Sequence, residues 1–383
     1  MKELSIYIHW PFCKKKCPYC DFNSHVRNKI DSVKWLQSYL SEIDYFKDLI
    51  SDRKITSIFF GGGTPSLMPP YIVEKIIDKL YSISKLNNVE ISLEANPTSS
   101  ENQKFKDFKA AGINRLSIGI QSLNQNDLEF LGREHSVSEA IETITIASSV
   151  FDNYSLDLIY SRPKQTAQEW VQELTKILEY SKDHISLYQL TIEKGTDFYS
   201  QYQKGKFIMP DQELSADIYE ITNEILANNG LMRYEISNYA KAKKECKHNI
   251  NYWKYNEYLG IGPGAHSRIK LNHNDVSAIM MIHNPEKWQD HVQKKQNGIQ
   301  YKKTLSITEI ATEYILMGLR LEKGIKFNDF KTKFVYDLND FINQEKLDLY
   351  MKNKLLTYNN KNLTLTNRGK MLLNHISMEL IKI

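Results

Sequence analysis

Leu4-Ser5-Ile6-Tyr7-Ile8 is a short apolar run, and Pro11-Phe12-Cys13-Lys14-Lys15-Lys16-Cys17-Pro18-Tyr19-Cys20-Asp21-Phe22 follows it almost at once. The run reads as a strand. The stretch after it reads as a loop, because Pro11 and Pro18 each lack an N–H and restrain the residue before them. The loop carries three cysteines in a C-x3-C-x2-C spacing, tight enough to fold three thiolates around one small inorganic core. A structural zinc site takes four protein ligands, usually as two separated pairs, and the remaining cysteine, Cys246, is remote. A [4Fe–4S] cluster normally takes four cysteines; with three, one iron is left to coordinate a small molecule. Two plainer readings stand beside it: a chance cluster, or a zinc loop completed by His9 or His25.

Outward from this loop, apolar runs and amphipathic stretches alternate. Helices are expected over Asp31–Ile50, Tyr71–Tyr81, Asn102–Ala111, up to Leu131, over Ser138–Val150 and over Ala167–Tyr180. Strands are expected over Ile55–Phe60, Val89–Glu94, Arg115–Ile120, Tyr154–Tyr160 and His184–Leu190. Such alternation calls for an α/β fold with a parallel sheet and right-handed crossovers. Six units fit a partial (β/α)6 TIM-like barrel better than a closed eight-unit one, with an open doubly wound sheet as the alternative. In both architectures function sits at the C-terminal ends of the strands. The unusual residues fall there: the cysteines, Gly61-Gly62-Gly63-Thr64-Pro65, Glu94, Gln121 and Asp157. The glycines let backbone approach a ligand and offer N–H donors, though a tight turn alone would also use them. No Lys-Ser/Thr follows, which excludes a nucleoside triphosphate P-loop. Glu94 can accept from an ammonium or a ribose hydroxyl, and equally can cap a helix.

The chain has 383 residues, 41% hydrophobic and 25% charged, which suggests one large domain and an appendage. Its net charge of +4 gives no general argument for nucleic acid or a membrane surface. Four cysteines, three of them clustered, make no disulfide framework and imply a reducing cytoplasm. The N-terminus lacks the shape of a signal peptide and no run of about 18 apolar residues occurs, so a cytoplasmic protein is expected.

The cysteine spacing, with aromatic Tyr19 before the third cysteine, resembles the radical S-adenosylmethionine (SAM) superfamily. Gly61 to Pro65, Glu94-Ala95-Asn96-Pro97, Gly119-Ile120-Gln121-Ser122, Leu131-Gly132-Arg133 and Asp157-Leu158-Ile159-Tyr160 resemble, in this order, the coproporphyrinogen III dehydrogenase group. That resemblance implies that Cys13, Cys17 and Cys20 hold a [4Fe–4S] cluster. It also implies that Tyr7, Tyr19, Gly62, Gly63, Thr64, Glu94, Gln121, Arg133 and Asp157 line the SAM pocket. In the dehydrogenase the counterparts of Tyr19, Gln121, Arg133 and Asp157 are also candidates for a second SAM. Ser161-Arg162-Pro163 stands where the group usually has Gly-Leu-Pro.

Two departures select a branch. Phe22 stands where the dehydrogenase has a fourth cysteine, and the long segment before the dehydrogenase's cysteines has no counterpart ahead of Cys13. Both are similar to the heme chaperone branch, as is His248-Asn249-Ile250-Asn251-Tyr252-Trp253, which matches its H-N-x-x-Y-W motif. The branch implies heme as a ligand, with His248 as the candidate heme contact and the basic run Lys241 to Lys247 beside it for the propionates. It further implies acceptor hemoproteins, among them respiratory-chain components at the membrane, a homodimer as one assembly, and no nucleic acid. No catalytic residue is assigned. The barrel is expected over residues 1–240, a connecting segment over 241–300, and a mainly helical, winged-helix-like domain over 301–383, ending in a hairpin with a turn at Asn359-Asn360-Lys361-Asn362.

Overall fold

The computed structural model describes residues 2–84, 87–98, 103–270, 275–359 and 361–382. Six strands lie side by side, parallel and in chain order: β1 (Lys2–Trp10), β2 (Arg53–Gly62), β3 (Glu90–Ala95), β4 (Arg115–Gln121), β5 (Tyr154–Tyr160) and β6 (His184–Gln189). The crossovers carry α1 (Ser32–Tyr45), α2 (Lys47–Ser51), α3 (Pro70–Ile83), α4 (Phe105–Ala110), α5 (Gln125–Phe130), α6 (Val137–Val150) and α7 (Ala167–Leu178). Capping boxes start two of them, Ser136 with Glu139 for α6 and Thr166 with Glu169 for α7. The helix expected over Asp31–Ile50 is two helices, because the chain bends at Phe46 and turns both Phe46 and Ile50 into the core. The helix expected from Asn102 starts at Phe105; Asn102 itself lies outside the described residues.

The sheet stays open. After β6 come α8 (Asp197–Gln203) and α9 (Gln212–Asn228), then β7 (Met232–Glu235) and β8 (Asn238–Ala240), which extend it antiparallel. Residues 241–300, read from sequence as a connection, carry α10 (Lys247–Trp253), β9 (Tyr258–Ile261), β10 (His266–Lys270), β11 (Val276–Met281), α11 (Pro285–Lys295) and the start of β12 (Ile299–Thr304). β9 joins β1 in parallel, and the spatial order is β12-β11-β10-β9-β1-β2-β3-β4-β5-β6-β8-β7. Glu42 of α1 ties this edge down: its carboxylate accepts from Gly262 N (2.8 Å), Gly298 N (2.7 Å) and Trp288 Nε1 (3.1 Å).

All six parallel strands alternate. Ile6, Ile58, Leu93, Leu116, Leu156 and Ile185 are fully buried toward the helices. The opposite, concave face is polar: the register sets Ser57 beside Glu90, Glu94 beside Ser117, Ser117 beside Ser155, and Asp157 beside Ser186. Closed barrels fill this space with branched apolar side chains. Here it is left to serines, carboxylates, Arg115 and the rings of Tyr7, Phe59 and Tyr188.

The C-terminal part has its own core of Ile315, Phe330, Leu347, Leu363 and Ile376. It comprises α12 (Ile307–Gly318), β13 (Ile325–Lys326), α13 (Phe327–Phe334), α14 (Gln344–Lys352), β14 (Leu356–Asn359), β15 (Asn362–Leu365), α15 (Asn367–Lys370) and α16 (Leu373–Glu379), with strand order β13-β15-β14. The expected hairpin is present, although Asn360 in its turn lies outside the described residues. Among the described residues no helix is long and apolar enough to cross a membrane.

Candidate functional site

The cysteine loop is closed at its base where Phe12–Cys13 pairs in parallel with His25–Val26. The end of β2 clasps the start of the loop: Gly63 N donates to Trp10 O (2.7 Å) and Thr64 N to Phe12 O (2.9 Å). A Cβ at Gly63 would stand 2.7 Å from Phe12 O, so the contact needs glycine. Cys20 N bonds Cys17 O (3.1 Å), turning the second and third cysteines together. From behind, Asn23 Nδ2 donates to Pro263 O (3.0 Å) and His283 O (2.9 Å), so the glycine-rich turn after β9 braces the loop.

All three thiols are free and partly exposed. Thr64 Oγ1 donates to Cys13 Sγ (3.4 Å) and Arg133 Nη1 to Cys17 Sγ (3.6 Å). Asn96 joins these donors, with Nδ2 on Thr64 Oγ1 (3.1 Å) and Oδ1 accepting from Arg133 Nη2 (2.5 Å). Burial raises the Cys13 thiol to about 11, so a bound cation is what would hold it as thiolate. The donor set fits an iron–sulfur cluster: soft thiolates with N–H and O–H groups aimed at sulfur. Zinc through His9 is disfavoured, because His9 is buried with Nδ1 on Tyr7 Oη (3.0 Å) and Nε2 on Asn23 O (2.9 Å). Cys246 is no fourth ligand; it is buried at the other end of the barrel, its Sγ on Glu90 Oε1 (3.5 Å).

Behind the loop opens a cavity of about 340 Å3. Cys13, Cys17 and Cys20 line its mouth, and Tyr19, Gly62, Gly63, Thr64, Glu94, Gln121, Arg133 and Asp157 line its walls, so the strand ends deliver these groups to one place. Glu94 accepts from Gly62 N (3.1 Å), and burial raises its carboxyl to about 8, with Asp157 adding repulsion. Asp157 accepts from Ser117 Oγ (2.7 Å) and Ser155 Oγ (2.9 Å); burial raises it too. Gln121 holds a left-handed φ of 67° beside a register shift in β4. Non-glycine residues rarely adopt that conformation, and such strain gathers at functional sites. Asn96, Ser117 and Tyr188 also line the cavity and were missed in the sequence. The alternation of β4 and β6 would have found Ser117 and Tyr188.

Tyr7 stands deeper in the barrel. It lies on a neighbouring cavity of about 240 Å3 with Phe59, Arg115, His248 and Tyr252, which shares Glu94 and Asp157 with the first. Residue 7 is three positions before the end of β1, which at ~3.3 Å per residue sets it about 10 Å below the rim.

His248 stands at the N-terminal end of the barrel. It is 4% exposed, stacked on Phe59 (4.8 Å between ring centres), with Nδ1 2.9 Å from Ser57 Oγ. Ser57 gives its own proton to Ser5 Oγ (2.7 Å), so Nδ1–H of His248 is the donor. Burial and the Arg115 charge lower its pKa to about 3. Its neighbours are engaged as well. Lys241 and Lys244 pair with Asp183 (3.2 Å each), Tyr252 packs on Tyr258, and Arg320 lies 4.6 Å over the Trp253 ring. This motif closes the N-terminal end of the barrel, with His248, Asn249, Tyr252 and Trp253 lining the inner cavity. At Ser161-Arg162-Pro163, Arg162 is buried and paired with Glu173 and with Asp127 (3.0 Å), which anchors that loop.

Residues 7–177 match the family model of the radical SAM superfamily, and residues 305–372 that of the HemN C-terminal domain. The protein named "Heme chaperone HemW" of Haemophilus influenzae is 36% identical over 98% of this chain and 97% of its own length. That of Escherichia coli is 38% identical over 70% of this chain and 71% of its own. "Radical S-adenosyl methionine domain-containing protein 1, mitochondrial" of Danio rerio is 37% identical over 84% of this chain and 74% of its own. In fold, the chain is similar to coproporphyrinogen III oxidase (HemN) from Escherichia coli, with a TM-score of 0.82 at 22% identity over 98% of this chain and 89% of that one. The chain thus belongs to the radical SAM superfamily, in the group that joins this barrel to a HemN-type C-terminal domain and includes the HemW proteins.

Proposed function

We propose that this chain is a heme chaperone of the cytoplasm, which holds a [4Fe–4S] cluster and SAM, takes up heme and passes it to acceptor hemoproteins. The observation that carries the reading is the placement of three thiols at the mouth of a cavity that Glu94, Gln121, Arg133 and Asp157 line, with the remaining cysteine at the far end of the barrel. Cys13, Cys17 and Cys20 hold the cluster. Glu94 and the Gly62-Gly63-Thr64 backbone hold SAM, with Tyr19, Gln121, Arg133 and Asp157 around it. Three protein thiolates would leave such a cluster able to take SAM as a ligand, and the reducing chemistry at the site would be the cluster's. Thr64 and Arg133 orient the thiolates, and the Arg133–Asn96–Thr64 chain keeps the two sides of the mouth in fixed relation. The 36% identity to a protein named as a heme chaperone over nearly the whole of both chains supports heme as the cargo.

The test is anaerobic reconstitution followed by electron paramagnetic resonance of the reduced protein. A four-iron signal that changes on adding SAM is expected; no signal, or one indifferent to SAM, rejects the site.

The likeness in fold to HemN supports a second reading, a coproporphyrinogen III dehydrogenase. Phe22, 61% exposed at the mouth where that reading wants a fourth cysteine, argues against it. Anaerobic incubation with coproporphyrinogen III decides: a vinyl product with stoichiometric SAM cleavage would replace the chaperone reading.

A further inference from the structure

A larger cavity, about 700 Å3, runs between the barrel and the C-terminal domain. The barrel contributes Tyr160 at the end of β5, Leu190 just after β6, and Met209 ahead of α9; the C-terminal domain contributes Leu355, Met371 and Leu372. It adjoins the cavity behind the cysteines at Gln189 and Leu190, which line both. Its charged lining residues are two cations, Arg368 and Lys370, and no acid lines it among the described residues. Lys370 pairs with Glu322, which also accepts from Arg233 (2.7 Å), so two cations share one carboxylate. Arg368 is exposed and makes no ion pair among the described residues.

We infer that this interdomain cleft is where the chain takes heme, the flat apolar macrocycle lying between the two walls and the two propionates meeting Arg368 and Lys370. The inference rests on the heme-carrying function proposed above and gives that cargo a place. Size favours it: small-molecule pockets run ~300–1,000 Å3, which admits this cleft. Surface chemistry favours it too. Met371 and Leu372 are 39% and 46% exposed at the cleft, an apolar edge that a ligand would cover. The lining holds no histidine or cysteine among the described residues, so the iron meets the thioether of Met209 or Met371, or a tyrosine phenol. Ligation without imidazole or thiolate suits a group that must be given up again. The shared residues Gln189 and Leu190 then put the cargo directly beside the SAM cavity.

Titration of the full, cluster-loaded chain with hemin, read by Soret absorbance, tests the assignment. Arg368→Glu, a change at an exposed position, should weaken binding about tenfold, as expected for losing one charge-assisted contact. The double change Met209→Ala with Met371→Ala should weaken binding and shift the Soret band. His248→Ala should leave the band unchanged. Should wild type bind hemin while the cleft variants keep its affinity and its band, the cleft is wrong and the chaperone reading stands. Should wild type take up no hemin at all, both fall together.

Discussion

Glu90 and Glu94 sit on the same face of the same strand, four residues apart, and belong to different worlds. Glu90 lies at the closed end of the barrel, where its Oε1 accepts from His248 N (3.3 Å) and Cys246 Sγ (3.5 Å) of the segment that plugs it. Glu94 lies at the open end, where it accepts from Gly62 N and its carboxyl is raised to about 8. Around Glu94 stand a left-handed Gln121 and Arg133, on the wall of the cavity behind the cysteines. Residue types at the two ends are alike; surroundings are not. At the closed end they are covered by the segment that plugs the barrel and bond to it, while at the open end they line a cavity.

The largest effect expected from this contrast comes from cysteine. Changing Cys13, Cys17 or Cys20 to serine should abolish cluster uptake, measured as iron and sulfide per chain, while the metal-free protein keeps its stability within about 1 kcal/mol. Cys246→Ser should do the reverse, retaining the cluster and losing stability at the plug. Next in size is His248→Ala. Removing a buried ring stacked on Phe59 and bonded to Ser57 should cost about 2–4 kcal/mol in urea unfolding, with SAM affinity little changed. If stability instead held and hemin binding vanished, His248 would belong with the open end and the contrast would break.

Acid should act through buried histidines at both ends of the barrel. His248 titrates at about 3, and His9 and His135 at about 4, each held neutral by burial. The unfolded chain takes up protons on these rings near pH 6.5 and the folded chain does not, so stability is full above that pH and falls as pH drops toward 4. Unfolding free energies at pH 7 and pH 5 measure this, and the loss should shrink in His248→Asn.

How much of this was legible in the residues themselves follows the same division. The parallel βα order could be read because each strand carries its own apolar face and each helix its own stripe. The open end could be read because cysteines, glycines and Glu94 are conspicuous types at strand ends. The placement of His248 could not, since a loop motif says nothing of which end of a barrel it will plug; Ser5, Ser57 and Arg115, its partners, come from three different strands. β9 to β12 were also hidden, because Tyr258–Ile261 is only four residues long and becomes a strand by pairing with β1. Tyr7 was named only through the resemblance, since three positions before the end of β1 it stands apart from the conspicuous residues of the rim.

Glu94→Gln sharpens the contrast at moderate size. SAM affinity should fall about tenfold, the loss of one charge-assisted contact. In the SAM-free chain the sign is opposite. A folded carboxyl at about 8 binds its proton across the window from 4.5 to 8 in which the unfolded one has lost it, so wild type loses stability as pH rises through that window. The glutamine variant should therefore equal wild type at pH 4 and exceed it at pH 9.

Gln121→Gly is the smallest and the most discriminating change. A left-handed backbone costs a side-chain-bearing residue about 1–2 kcal/mol, and glycine is free of that cost but gives up about 0.5–1 kcal/mol of chain entropy on folding. The two nearly cancel, so the variant should be as stable as wild type or better by under about 1 kcal/mol. Were Gln121 merely a residue tolerated in a tight turn, SAM binding would be unmoved as well. Since its side chain lines the cavity behind the cysteines, SAM should bind several-fold more weakly to a protein that is no less stable. That pairing, affinity lost with stability kept or gained, is the signature of strain maintained for a ligand, and calorimetric titration beside a melting curve would separate it from an ordinary turn.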